Sequence, residues 1–293
     1  LFGHSDRLSR RELNTRLWLI EDAVARGDVP GALRHYDIAL RTSRTAADLL
    51  YPVLAQAIAD PTIVRALITK LAARPPWRDA FLDYVGGRGP SPVRSAQFFS
   101  QLAKAGIAIP EVPRISVVNA LARDGSYQEA WAYYRTLRSG VIRQRSRDPD
   151  FTAQLQTPSV FDWMPVMNDA GVTASVNDGV FDFAAPSTVG GVILQQIQLL
   201  PAGRYRLAGT SVGIDQPREA RPYWQLTCTD GKEIGRVELT NSADNAGRFA
   251  GTIDVGGNCP VQLLRLVVRP SAVIGGVSGQ IDRALLAPDG KGR

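Results

Sequence analysis

Apolar positions along this chain repeat with two different periods. Up to about residue 148 they recur at spacings of three and four, and from about residue 158 they recur at every second position. Over residues 8–26, Leu13, Leu17, Ile20 and Val24 share one face of an amphipathic helix. Gly27-Asp28 ends that helix, Pro30 suits the first turn of the next, and Ala32, Leu33, Tyr36, Ala39 and Leu40 supply its apolar face. A further pair is predicted over 46–59 and 62–73, split where Asp60 caps and Pro61 starts a helix. Pro75-Pro76 stops the run, a short helix covers 77–85, and Gly86-Gly87-Arg88-Gly89-Pro90 reads as a loop connector. Helices near 93–105 and 113–123 lead into DGSYQEAWAYYRTLR.

In the second half, Val192 to Leu200, the turn Pro201-Ala202-Gly203, and Tyr205 and Leu207 alternating with Arg204 and Arg206 predict a β-hairpin. Strands are expected at 161–164, 172–176, 180–184, 192–200, 204–210, 223–229, 234–240, 248–255, 261–269 and 280–286. Asn177-Asp178-Gly179, Asp230-Gly231 and Gly256-Gly257-Asn258 punctuate them. Short strands so spaced, with no helix between, argue an antiparallel sandwich. Phe181 with Phe183, Trp224 with Leu226, Phe249 with Ile253, and Leu264, Leu266 and Val268 would face its core, and Trp163 is also read as core.

The expected organisation is therefore an α-helical domain over 1–148, a linker over 149–157, and an antiparallel β-sandwich over 158–293. A length of 293 residues suits two domains. No run of about 18 apolar residues occurs. The net charge of +6 sits in the first 150 residues, which hold 22 Lys+Arg against 15 Asp+Glu. Thirty of the 34 basic residues are arginine and are scattered over helices, so solvated faces account for them and no nucleic-acid partner is expected. Arg143, Arg145 and Arg147, ahead of Asp148-Pro149-Asp150, read as a solvated helix end suited to the carbonyl dipole, or as a site for phosphate or a carboxylated polymer. The chain opens on Leu1-Phe2-Gly3, and a removed signal peptide or a single membrane anchor upstream is the expectation. Cys228 and Cys259 stand 31 residues apart in the strand-rich half. As a disulfide they would contribute roughly 3.5 kcal/mol by chain entropy and imply an oxidising compartment; as free thiols they would be two small buried hydrophobes.

Gly27, Ala32 and Tyr36 share their spacing with Gly125, Ala130 and Tyr134, 98 residues later, close to three periods of about 34. Glycine closes the turn, alanine lets two helices approach, and the aromatic fills the groove beside them. In this the first half resembles the tetratricopeptide repeat (TPR) family, which implies stacked helix pairs with a concave face that docks a peptide or serves as a stalk. The second half carries Phe161-Asp162-Trp163, then Gln195 and Gln196, then Leu200-Pro201-Ala202-Gly203-Arg204-Tyr205, and finally Ile281-Asp282. In that order these resemble carbohydrate-binding jelly-roll modules of the galactose-binding-like class. The resemblance implies a multidomain α + β fold with a sugar-binding jelly roll, and a structural calcium held by Asp162 and Asp282, whose carboxylate oxygens are suitably hard ligands.

Catalytic material is sparse. His4 and His35 are the two histidines, neither phosphate-loop glycine pattern occurs, and no carboxylate pair is singled out by a motif. If Trp224 faces inward, Tyr223 faces outward beside Gln225 and Thr227, where a phenol can stack on a sugar and hydrogen-bond it. Taken together the sequence predicts a non-enzymatic accessory of the periplasm or cell envelope, active in extracellular polysaccharide production or display. Its helices would dock a protein and its sandwich a polysaccharide or oligosaccharide. A protein–protein adaptor without sugar binding and an unrecognised carbohydrate-active enzyme are the alternatives.

Overall fold

A computed structural model describes the backbone of residues 2–290 and the side chains of residues 13–290. The chain divides at Leu137/Arg138 into two compact units.

The first unit holds eight helices: α1 (Phe2–Ala25), α2 (Val29–Thr42), α3 (Ala46–Ala57), α4 (Pro61–Ala72), α5 (Arg78–Arg88), α6 (Pro92–Lys104), α7 (Glu111–Arg123) and α8 (Tyr127–Leu137). Their starts follow the sequence signals. Asp28 accepts from Gly31 N at 2.9 Å and Asp60 from Thr62 N at 2.7 Å, each satisfying a backbone donor that the first turn leaves free. Their ends repeat one device. After α1, α6 and α7, Gly27, Gly106 and Gly125 adopt φ of +70°, +74° and +78°. The next amide then reaches back five residues, from Asp28 to Ala23, Ile107 to Leu102, and Ser126 to Leu121. Ala32, Tyr36, Ala130 and Tyr134 are buried beside those turns. Alternate helices are neighbours, α2 with α4, α3 with α5, and α5 with α7.

The expected loop at 86–90 is corrected at its start, because α5 continues through Gly86 and Gly87 to Arg88. A Cβ on Gly86 would lie 2.5 Å from Pro113 O. The glycine is there so that α5 and α7 can approach, not to turn the chain.

The second unit is a sandwich of two five-stranded antiparallel sheets. Its strands are β1 (Met164–Pro165), β2 (Thr173–Asn177), β3 (Val180–Ala185), β4 (Gly191–Gln198), β5 (Gly203–Val212), β6 (Tyr223–Cys228), β7 (Glu233–Glu238), β8 (Arg248–Val255), β9 (Gln262–Val268) and β10 (Val277–Pro288). One sheet runs β1-β4-β9-β6-β7 and the other β2-β3-β10-β5-β8. Nine of the ten expected strands stand where alternation places them; the one expected at 161–164 is corrected, because 161–163 lie outside any strand and β1 begins at Met164. Phe181, Phe183, Trp224, Leu226, Phe249, Ile253, Leu264, Leu266 and Val268 are buried between the sheets, with Trp163.

The hairpin expected around Pro201 is corrected. β4 and β5 lie in different sheets, β4 pairing β9 and β5 pairing β8 and β10. Leu199 and Leu200 before the turn and Tyr205 and Leu207 after it are all buried, so the chain crosses the core here instead of folding back in one sheet. The Tyr205 hydroxyl donates to Pro201 O at 3.0 Å and ties the crossing down.

The linker at 149–157 is also corrected, since residues from 138 onward belong to the sandwich. β10 has twelve residues and β3 six, and their pairing ends at Ile281–Phe181, which leaves the second half of β10 without a strand on that side. The segment around Ser146 takes that edge. Ser146 N donates to Leu286 O at 2.8 Å, Leu286 N to Ser146 Oγ at 2.9 Å, and Ala284 N to Pro149 O at 2.8 Å. Phe151 enters the core, its ring 5.4 Å from Trp163 and 6.3 Å from Phe181. Arg143 and Arg147 act as fasteners, not as a solvated helix end, while Arg145 is exposed. Arg143 Nε donates to Leu199 O at 2.8 Å, and Arg147 pairs with Asp162.

Candidate functional site

Two surfaces of the sandwich concentrate ligand chemistry. The first is the outward face of the β6-containing sheet, where the sequence places Tyr223, Gln225 and Thr227. Tyr223 and Gln225 are half-buried on that face, but Thr227 is 3% exposed and offers a ligand nothing. The β6–β9 register runs unbroken from Tyr223↔Val267 to Cys228↔Gln262, so Thr227 keeps the phase of Tyr223 and Gln225 and is covered on that side, while the β6–β7 shift places its extra residue in β7. Its hydroxyl has no hydrogen-bond partner among the described residues.

The Tyr223 ring is not bare. The guanidinium carbons of Arg236 and Arg269 lie 4.1 and 4.5 Å from its centre, so its π-surface is already covered by cations. Arg236 is held in turn by Glu233, through Nε–Oε1 and Nη2–Oε2 contacts of 3.0 and 2.9 Å, and Gln225 also donates to Glu233. The hydrogen bond from Arg236 is the main cause holding the Glu233 carboxyl below its ordinary value. Sugar stacking on Tyr223, as the sequence suggested, would first have to move a guanidinium.

The second surface is a cleft of about 800 Å³ at one end of the sandwich. Sequence reading missed it, because half of its wall is the supposed linker. Phe151 and Trp163 line it, with Gln154, Gln156, Asn177 and Asp178 among its polar residues. The wall is built locally. Asp148 Oδ1 accepts from Thr152 N at 2.9 Å and Thr152 Oγ1 at 3.2 Å, and Oδ2 accepts from Ala153 N at 3.1 Å. Asp148 and Phe151 both adopt positive φ, 49° and 54°, conformations that cost a non-glycine residue energy and are paid back by these bonds and by Phe151 packing. Trp163 Nε1 donates to Asp148 O at 2.8 Å, fixing the floor. Asp178 and Gly179, at φ 49° and 83°, form the tight β2–β3 turn on the opposite wall. The Asn-Asp-Gly signal for that turn was plain in the sequence, and its role as a cleft wall was not.

The calcium expectation is corrected at Asp162. Its carboxylate is buried, with Oδ1 at 2.8 Å from Arg147 Nε and Oδ2 accepting from Ser159 N at 2.9 Å and Ser159 Oγ at 2.8 Å. A dication would have to displace the guanidinium. Asp282 is half-buried at a register shift in β10, and no group of three or more His, Cys, Asp or Glu among the described residues is arranged for a metal ion. Cys228 and Cys259 form a disulfide that joins the end of β6 to the turn before β9. The His4 side chain lies outside the described residues, and His35 sits on α2 in the helical unit.

No family model matches the chain, and no curated protein does. Similar solved structures include a CBM4 structure, 14% identical, covering 49% of this chain and 99% of that one with a TM-score of 0.37. Another is TmCBM61 in complex with β-1,4-galactotriose, 15% identical, covering 52% and 99%, TM-score 0.32. A third is the Glycosylation Associate Protein (Gap123) complex from Streptococcus agalactiae, 10% identical, covering 40% of this chain and 38% of that one, TM-score 0.27. Carbohydrate-binding modules match the sandwich half. The site is read from this chain's own residues.

Proposed function

We propose that the protein is a non-catalytic accessory of the periplasm or cell envelope that works in extracellular polysaccharide production or display. Its TPR-like helices dock a protein partner, and its sandwich holds a glycan in the end cleft. The observation that carries the sugar reading is the cleft itself. The exposed side chains of Gln154, Gln156, Asn177 and Asp178 suit sugar hydroxyls, while Phe151 and Trp163 close the cleft's base from the core side. The non-catalytic reading is supported by the cleft's carboxylates. Asp148 and Asp178 are the two on its lining, and both oxygens of Asp148 are committed to holding the loop. Glycoside cleavage by two carboxyl groups needs both free to act on the bond.

The test is a glycan array on the whole chain, followed by titration of the best ligand against Asn177→Ala, Gln154→Ala and Tyr223→Ala. Loss of at least about tenfold in the first two, on the scale of one or two lost polar contacts, supports the cleft. Loss in Tyr223→Ala alone moves sugar binding to the sheet face and overturns the cleft. Silence across the array favours the adaptor.

A further inference from the structure

On the outward face of the β6-containing sheet, Arg236, Gln225, Arg265 and Gln195 stand side by side in register across β7, β6, β9 and β4. At the usual strand spacing this row is about 14 Å long. Just above it lie Tyr223 and, past the end of β9, Arg269. Three arginines thus share a face with two glutamates, Glu233 and Glu238. Arg236 is neutralised by Glu233, and Arg269 by Glu238 at 3.1 Å.

Arg265 is different. It occupies the middle strand, and its guanidinium makes no hydrogen bond or ion pair among the described residues, while its Nε is shut away from solvent. A partly desolvated cation without an anion is costly to keep. The neighbours make sense of it. Gln225 gives its N–H to Glu233, which leaves its carbonyl oxygen free to accept, and the Gln195 amide makes no hydrogen bond among the described residues. Leu263 and Ile197, paired across β9 and β4 in the next row, provide apolar surface beside them.

We propose that this face binds a carboxylated polysaccharide, with a uronate carboxylate on Arg265 and the hydroxyls of the same sugar on Gln225 and Gln195. A guanidinium fork matches a planar carboxylate with two parallel hydrogen bonds, and the amides on either side answer to hydroxyls that an acidic peptide lacks. Arg236 and Arg269 are taken up by their glutamates and by the Tyr223 ring, which leaves Arg265 as the cation of the row with no anion among the described residues. This surface shares no lining residue with the end cleft, so the assignment holds whether or not a glycan occupies the cleft.

The test is titration of the whole chain, by calorimetry at low and at physiological salt, with four polymers: polygalacturonate, its methyl ester, dextran sulfate and poly-L-glutamate. The expected result is binding of polygalacturonate that weakens with salt and is lost on methyl esterification. Arg265→Gln should weaken it at least about tenfold, and Arg265→Lys should also weaken it, because a point charge cannot replace the fork. Gln195→Ala should cost several-fold, which checks the amide role in a variant that leaves every charge in place. Equal binding of dextran sulfate would reduce the site to bare charge and overturn the carboxylate assignment. Equal binding of poly-L-glutamate would make the partner an acidic protein. No binding of polygalacturonate, or binding indifferent to Arg265→Gln with the circular dichroism unchanged, overturns the proposal.

Discussion

Thr227 shows that alternation sets which side a residue takes and not whether that side is open. It keeps the outward phase of Tyr223 and Gln225 in an unbroken β6–β9 register, yet it is covered, with its hydroxyl unpartnered among the described residues. Burying a hydroxyl without a hydrogen bond costs about 1–3 kcal/mol, and valine has the same shape without it. Thr227→Val is therefore expected to raise the stability of the sandwich by about 1 kcal/mol, read as a higher urea midpoint, and to leave glycan binding unchanged. A lower midpoint would mean that the hydroxyl has a bonding role. At this scale the sequence was legible wherever a residue obeyed its strand's alternation, as Trp224, Leu226, Phe181 and Phe183 do. It was silent on which outward positions are covered, as at Thr227, because cover comes from side chains that the strand's own pattern does not name. The same holds for Asp162, whose identity suited a metal and whose surroundings supply an arginine.

Elements were easier to place than their neighbours were. Nine of the ten strands lie close to the positions that a two-residue period assigns, and the helix starts at Asp28 and Asp60 carry the caps that their side chains offer. Pairing was the hidden part. The last strand, β10, lies between β3 and β5, and β4 leaves its sheet at Pro201; both arrangements depend on contacts between distant parts of the chain. The segment 149–157 carried no strand pattern and so read as a linker, although with the residues around Ser146 its backbone completes an edge of β10. Two adjacent glycines in α5 make an element-scale prediction with opposite signs. Gly86→Ala places a methyl 2.5 Å from the backbone oxygen of Pro113, and this should cost about 1–3 kcal/mol as α5 and α7 are forced apart. Gly87 has open space around its Cβ position, so Gly87→Ala should add up to about 1 kcal/mol through helix propensity. Thermal unfolding followed by the helical circular dichroism signal reads both. Equal shifts of the two variants would refute the close-approach account of Gly86.

For the molecule as a whole, the division at Leu137/Arg138 implies two cores that can be perturbed separately. Each has its own cross-link. In the helical unit Asp37 on α2 accepts from Arg41 Nε at 2.8 Å and Trp77 Nε1 at 2.8 Å, and lies 3.5 Å from Lys70 of α4. Burial pushes the Asp37 carboxyl up, but the hydrogen bonds from Arg41 and Trp77, with the charge of Lys70, outweigh it and hold the group below its ordinary value. A carboxyl lowered on folding contributes stability that is fully present above its unfolded pKa of about 3.9 and is lost as pH falls through the folded value. In the sandwich the disulfide closes a separation of 31 residues, worth about 3.5 kcal/mol by chain entropy. Urea unfolding of the whole chain should accordingly show one transition in the helical far-ultraviolet signal and another in the exchange protection of sandwich amides. Asp37→Asn should lower only the helical midpoint, by an amount corresponding to about 1–3 kcal/mol, and should remove the part of its acid sensitivity that Asp37 supplies. A reductant should lower only the sandwich midpoint. Both perturbations moving a single shared transition would mean that the two units fold as one.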